Sequence, residues 1–194
     1  VAMENGKNPK GLESARFVCV RRASDISQNE NFIPGPSVDR HKDVRFGTHH
    51  ARDAHELFKT IQLNLDLFSS SMKINSQYMH TIWFHVRLAD TITKDEVLRR
   101  LRANDRVALT HKNSANSVFS FGRDHGHFGR ILNQTVVVES TLSVLNDRDV
   151  VGWCFTPQDG NPLLSSVSAT EFFLYPSEYE RRIQCLKCLF FSEV

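Results

Sequence analysis

Apolar and polar residues alternate most sharply in "YMHTIWFHVRL", Tyr78 to Leu88. In an extended segment Met79, Thr81, Trp83, His85 and Arg87 share one face, and His80, Ile82, Phe84, Val86 and Leu88 the other. The second row is the more apolar. The pattern therefore predicts a strand that turns this row to a core, with His80 at its start. The shorter run Phe17-Val18-Cys19-Val20 is β-favouring and ends in Arg21-Arg22, which predicts a buried strand with two guanidiniums at its end. "RVALTH" reads as another strand. "TVVVESTLSVL" and "DVVGWCF" read as two more, joined by the turn-forming "NDRD".

Helical spacing is clearest in "DTITKDEVLRRLRAND". Thr93 is a good N-cap, Glu96 stands at the capping-box position, and Val97, Leu98 and Leu101 form the apolar stripe. The tail "SEYERRIQCLKCLFF" is helical by the recurrence of Tyr179, Ile183, Leu186 and Phe190. "SDISQNENFIPGPSVDRHKD" is a long loop, since Pro34-Gly35-Pro36 excludes regular structure. "RDAHELFKTI" is a helix start or a short irregular segment, and "VFSFGRDHGHFGRI" fits neither period. The order is strand, long loop, strand, helix, strand, strand, strand, helix. It predicts an α+β domain with a mostly antiparallel sheet and helices packed on one face. Residues 1–14 are expected to be a flexible N-terminal segment and residues 15–194 a single domain.

The chain has 194 residues, 40% hydrophobic and 24% charged, with 14 Phe, a composition that suits a globular domain with an aromatic-rich core. Its net charge of +2, with no run of basic residues, argues against nucleic acid as a partner. No apolar stretch reaches the ~20 residues of a membrane span, and "VAMENGKNPKGLES" lacks a signal-peptide core, so a cytoplasmic location is expected. Cys19 and Cys154 lie in apolar runs and read as buried small hydrophobes. Cys185 and Cys188 form one C-x-x-C, too few ligands for zinc, and read as thiols on a terminal helix.

Candidate chemistry gathers around "FGTHHARDAHELF", which holds three of nine histidines. On an extended segment the His49 and His50 rings point opposite ways and cannot easily share a metal, so no metal is expected. An anion pocket or a proton-transfer site fits better, with solvated loop histidines as the plain alternative. A guanidinium fork at Arg21-Arg22 suits phosphate or carboxylate, or makes an ordinary surface ion pair. His80 has the partly buried setting of a general base, or of a satisfied core histidine. Arg123 and Asp124 line a pocket or shape a turn. No G-x-G-x-x-G follows a strand and no Walker loop is present, so no nucleotide cofactor is expected to bind.

Taken in order, "ARFVCVRRASD", "PGPS", "THHARD", "YMHTIWFHVRL", "TITKDEVLRRLRANDRVAL", "FGRDHG", "VVVESTLSV" and "FTPQDGNP" resemble the catalytic domain of the archaeal-type (type II) glyceraldehyde-3-phosphate dehydrogenases. The resemblance runs from about Ala15 to Asn161. It implies an α+β fold on an antiparallel sheet, without the family's Rossmann half, and an oligomerising domain. It also implies roles. Arg21 and Arg22 match the family's Arg-Arg, His49 and His50 its histidine pair, and His80 one histidine of its Met-His-x-His stretch. Arg123 and Asp124 match its Arg-Asp turn, and Gln158 and Asp159 a Gln-Glu pair. The implied pocket holds a phosphorylated or carboxylated small molecule.

Departures from the family are specific. Its Cys-Asn-Thr-Thr nucleophile motif is missing, Tyr78 and Pro157 replace histidines, and Ala51-Arg52 replaces a Gly-Pro. The expectation is a repurposed small-molecule enzyme without NAD(P). It would bind an anionic substrate through Arg21, Arg22, His49, Arg123, Gln158 and Asp159. Non-redox acid–base chemistry would fall to His50, His80 or Tyr78. The alternatives are one part of a split NAD(P)-dependent dehydrogenase, with a separate Rossmann-domain chain as partner, and a non-catalytic ligand-binding or homo-oligomerising module.

Overall fold

A computed structural model of the chain describes residues 11–22, 35–75, 79–125, 132–157 and 160–194. The run ending in Arg21-Arg22 forms β1 (Leu12–Arg21). It starts at Leu12, so residues 12–14 belong to the sheet and not to a flexible N-terminal segment. After β2 (Ser37–Val38) comes α1 (His49–Lys59), then β3 (Asp66–Lys73) and β4 (His80–Leu88). The chain continues through α2 (Lys94–Arg102), β5 (Val107–Thr110), α3 (Ala115–His125) and β6 (Thr135–Val138). A 3-10 turn (Glu139–Thr141) separates β6 from β7 (Ser143–Leu145), and β8 (Asp149–Thr156) follows. The C-terminal part is α4 (Gly160–Leu174), α5 (Tyr179–Arg182) and a 3-10 helix (Ile183–Leu189).

The strands make one mixed sheet in the order β2-β3-β1-β4-β8-β6-β5, with β7 paired to β8. β1–β3 and β5–β6 are parallel, and the other pairings are antiparallel. The fold is α+β, with two parallel crossovers inside it. The first passes through α1 and the second through α3.

Helices cover both faces of the sheet, not one. Leu109, Val137, Cys154 and Ile82 pack with Val97, Leu98 and Leu101 of α2. On the same face Ala15, Phe17 and Leu67 pack with Ala51 and Phe58 of α1. The alternate residues Ala108, Val136, Val138 and Phe155 pack with Val118 and Phe119 of α3. The crossovers explain the split. Both step toward the β2 edge, but β1 and β5 run in opposite directions, and crossovers of one hand then place their helices on opposite sides.

Local signals account for most elements. Glu96 N–H donates to the Thr93 hydroxyl at 3.2 Å, the N-cap read from the sequence. The Glu96 carboxylate binds Arg99 and Arg100 instead of turning back to close the box. Asn146 and Asp147 take φ of 50° and 58°, which makes the β7–β8 hairpin. The tail is α-helical for one turn only and then tightens to 3-10. Among the described residues no helix is long and apolar enough to cross a membrane.

Candidate functional site

β1 and β3 end side by side, with Arg21 in register with Lys73. Arg21 shares a face with Cys19 and reaches over β3 to Asp39, just past β2. Its Nη2 donates to both Asp39 oxygens, at 2.8 and 2.7 Å. Ser71 Oγ donates to Asp39 Oδ2 at 2.5 Å. A half-buried arginine–carboxylate pair thus sits where the loop crosses the strand ends.

The turn before α1 is pressed onto β3. Asp43 Oδ1 accepts from the backbone N–H of Arg45 and Phe46, at 2.8 and 3.1 Å. Gly47 has φ of 73°, and a Cβ there would lie 2.3 Å from the Ser69 carbonyl oxygen, so only glycine fits. Thr48 is the N-cap of α1, but its hydroxyl bonds Ser69 Oγ at 2.6 Å. Ser69 Oγ accepts from Ala51 N–H at 3.0 Å, so β3 caps the helix in place of Thr48. The inward row of β3, Ser69 and Ser71, is therefore polar and buried because it serves this junction.

A cavity of about 450 Å³ opens at the junction. Arg21, Arg40, Lys42 and Arg52 line it, against Asp39 and Asp43, with Thr48, His49 and Ser71 completing the wall. Asp39 is committed to Arg21. Among the described residues Arg40 and Lys42 make no ion pair, and Arg52 lies 3.5 Å from Asp53. The N-terminal end of α1, which favours negative charge, also meets this space through Thr48 and His49. The cavity is cationic overall.

His49 and His50 occupy the first turn of α1, not an extended segment. Their rings lie 4.0 Å apart, tilted at 40°, and are not on opposite sides of the chain. Among the described residues no set of three ligating side chains converges. His50 is half-buried. Burial, then His49 and Arg21, push its pKa below the ordinary 6.5, while Asp39 and Asp53 pull it up. Its buried Nε2 and the buried Nε of Arg21 have no hydrogen-bond partner among the described residues.

The structure thus brings Arg21 and His49 onto one cavity, with His50 beside His49 but not in the lining. Arg22 and His80 sit next to each other at the same end of the sheet, where His80 Nδ1 accepts from Arg22 N–H at 3.3 Å. Neither lines the cavity. Arg123 does not join them: it lies at the end of α3, on the opposite face near β5 and β6, paired with Asp124 at 2.7 Å. Tyr78, Gln158 and Asp159 lie outside the described residues. The sequence reading missed Asp39, Arg40, Lys42 and Ser71. The dense charge of "VDRHKD", directly before the histidine pair, was the available signal for three of them.

No cysteine lines the cavity. Burial pushes the Cys19 thiol up to about 11 and the Cys154 thiol up to about 12, so neither is a thiolate near neutral pH. A second titratable cluster joins strand ends on the far side. His85 Nε2 lies 2.7 Å from Asp149 Oδ1, and Arg87 bridges Asp149 to Glu13. It ties β1, β4 and β8 together.

No protein-family model matches the chain. The chain is similar to the glyceraldehyde-3-phosphate dehydrogenase of Methanocaldococcus jannaschii. Identity is 23% over 142 residues, which cover 71% of this chain and 40% of that enzyme. The chain thus spans well under two thirds of the relative's length. The mixed α+β sheet is consistent with a glyceraldehyde-3-phosphate dehydrogenase-like domain. In such a domain the cationic cavity, and not a thiol, is the feature this chain presents.

Proposed function

We propose that this is a dehydrogenase-related domain of the archaeal (type II) kind, and that its cavity binds a small phosphorylated or carboxylated molecule for acid–base chemistry without NAD(P). The observation that carries the reading is the convergence of Arg21, Arg40, Lys42, Arg52 and His49 on one cavity. Guanidinium groups fix an anionic end of the substrate with directional hydrogen bonds. His50 stands directly behind the cavity-lining His49, and burial, His49 and Arg21 favour its neutral form, so it can take up a proton passed on from the wall of the site. Isomerisation, elimination and cyclisation need only such a placed acceptor and a donor, and His80 stands at the same end of the sheet.

A second reading has one observation in its favour. The match to the dehydrogenase covers 40% of that enzyme, and in this reading the domain works together with a nucleotide-binding part supplied elsewhere. Calorimetric titration with inorganic phosphate, a sugar phosphate and NADP separates the two. Phosphate and sugar phosphate are expected to bind, and the Arg40→Ala/Lys42→Ala double variant to bind at least about tenfold more weakly with an unchanged melting temperature. Undetectable phosphate binding to the unaltered protein removes the first reading. Tight binding of NADP by this chain removes the statement that it works without that cofactor.

A further inference from the structure

We propose that Cys185 and Cys188 are a redox modification site, a dithiol that closes to an intramolecular disulfide by exchange with a low-molecular-weight disulfide. Both side chains are exposed. Both lie in the 3-10 helix Ile183–Leu189. With three residues per turn, side chains at i and i+3 eclipse, and a rise of about 2.0 Å per residue sets their Cα atoms about 6 Å apart. In an α-helix the same spacing leaves the two side chains about 60° apart around the axis. A disulfide spans Cα separations of about 4.4–6.8 Å, so this eclipsed pair lies within range.

The side chain of Cys188 already leans toward its partner residue. Its Sγ donates to the Cys185 carbonyl oxygen at 3.3 Å. A change of rotamer exchanges that oxygen for the Cys185 sulfur. The buried pair has no such option. Cys19 and Cys154 flank Ile82 on the two strands beside β4, two strand spacings apart at about 9.6 Å, beyond bridging distance. The tail also has a fixed anchor just beyond the dithiol. Asn133 Nδ2 donates to Leu189 O at 3.1 Å, and Gln134 holds Phe191. Cross-linking therefore locks the turn that feeds this anchor.

The exchange balances without a further reagent. One cysteine, as its thiolate, attacks the small disulfide, forming a protein–small-molecule S–S bond and releasing one thiol. The second cysteine attacks the protein sulfur, closing the intramolecular S–S bond and releasing the other small thiol. Two cysteine thiols are oxidised and one external disulfide is reduced to two thiols.

Oxidised glutathione is the probe, followed by trypsin under non-reducing conditions and mass spectrometry. Cleavage after Arg182 and Lys187 separates Ile183–Lys187 from Cys188–Val194, so only a disulfide keeps these peptides joined. The linked pair is expected to account for most of the tail signal, in protein that runs as a single chain on a non-reducing gel. Cys185→Ser and Cys188→Ser are each expected to leave only a glutathione adduct on the remaining thiol. Glutathione on both cysteines without linkage, linkage only between two chains, or no reaction at either thiol would each overturn the proposal.

Discussion

Arg21 and Asp39 hold each other: a single guanidinium nitrogen bonds both carboxylate oxygens, at 2.8 and 2.7 Å. The pair positions Arg21 in the cavity wall and also competes with any anion that enters. Asp39→Asn is therefore expected to raise phosphate affinity several-fold, while the hydrogen bond lost to Arg21 lowers stability by about 1 kcal/mol. Arg21→Ala is expected to weaken phosphate binding about tenfold or more. Titration calorimetry and thermal melts on the two variants read both effects. Equal loss of affinity in both would show that the carboxylate does not compete.

His50 gives the domain a pH dependence of known direction. Its folded pKa lies below the ordinary 6.5, so the unfolded chain takes up this proton first as pH falls. Its contribution is intact above about 6.5 and is lost as pH drops from there toward the folded value. His50→Asn is expected to flatten that part of the stability curve and leave the region above pH 7 unchanged. Denaturant unfolding at a series of pH values measures it, and parallel curves for the two proteins would refute it.

Gly47 is the residue on which the α1 turn rests against β3. Gly47→Ala combines a left-handed backbone with a Cβ 2.3 Å from the Ser69 oxygen. A loss of more than about 2 kcal/mol is expected, with weaker phosphate binding because Thr48 and His49 move with the turn. An unfolding midpoint within about a degree of the unaltered protein would contradict this packing.

Gln134 is 1% exposed and grips the C-terminal tail. Its Nε2 donates to Phe191 O at 2.7 Å and its Oε1 accepts from Phe191 N–H at 2.7 Å. Gln134→Leu is expected to cost about 2 kcal/mol, since groups paired in the folded chain lose their partner. Backbone amides of Phe191 and Val194 should then exchange with deuterium faster than in the unaltered protein. An unchanged exchange rate would mean that Val194, bonded to Leu109, is enough to hold the tail.

The sequence showed its elements wherever side-chain period and burial agree. The alternation of β4, the cap at Thr93 and the Asn-Asp hairpin all stand in the structure. β3 escaped because Leu67 is followed on its inward row by Ser69 and Ser71, polar residues buried against a helix end, and a hydrophobicity pattern reads them as loop. α1 was half-seen because its first turn is two histidines, poor helix signals held by Ser69 from a distant strand. α4 gave no clear stripe, and much of its apolar surface is exposed. The cavity was legible in part. Arg21 and His49 stood out by residue type. Asp39, Arg40 and Lys42 did not, because only tertiary folding carries that loop across the ends of β1 and β3.

β1 is an inner strand, paired along its length on both sides, Val18 with Ser70 and with Trp83. Those partners are far away in the chain, so Arg21 gains a fixed position only after two long-range closures, an ordering that slows folding. The same arrangement protects the finished protein. Backbone amides of β1 should be among the last to exchange with deuterium, so the cavity-lining arginine rides on the segment that opens least often.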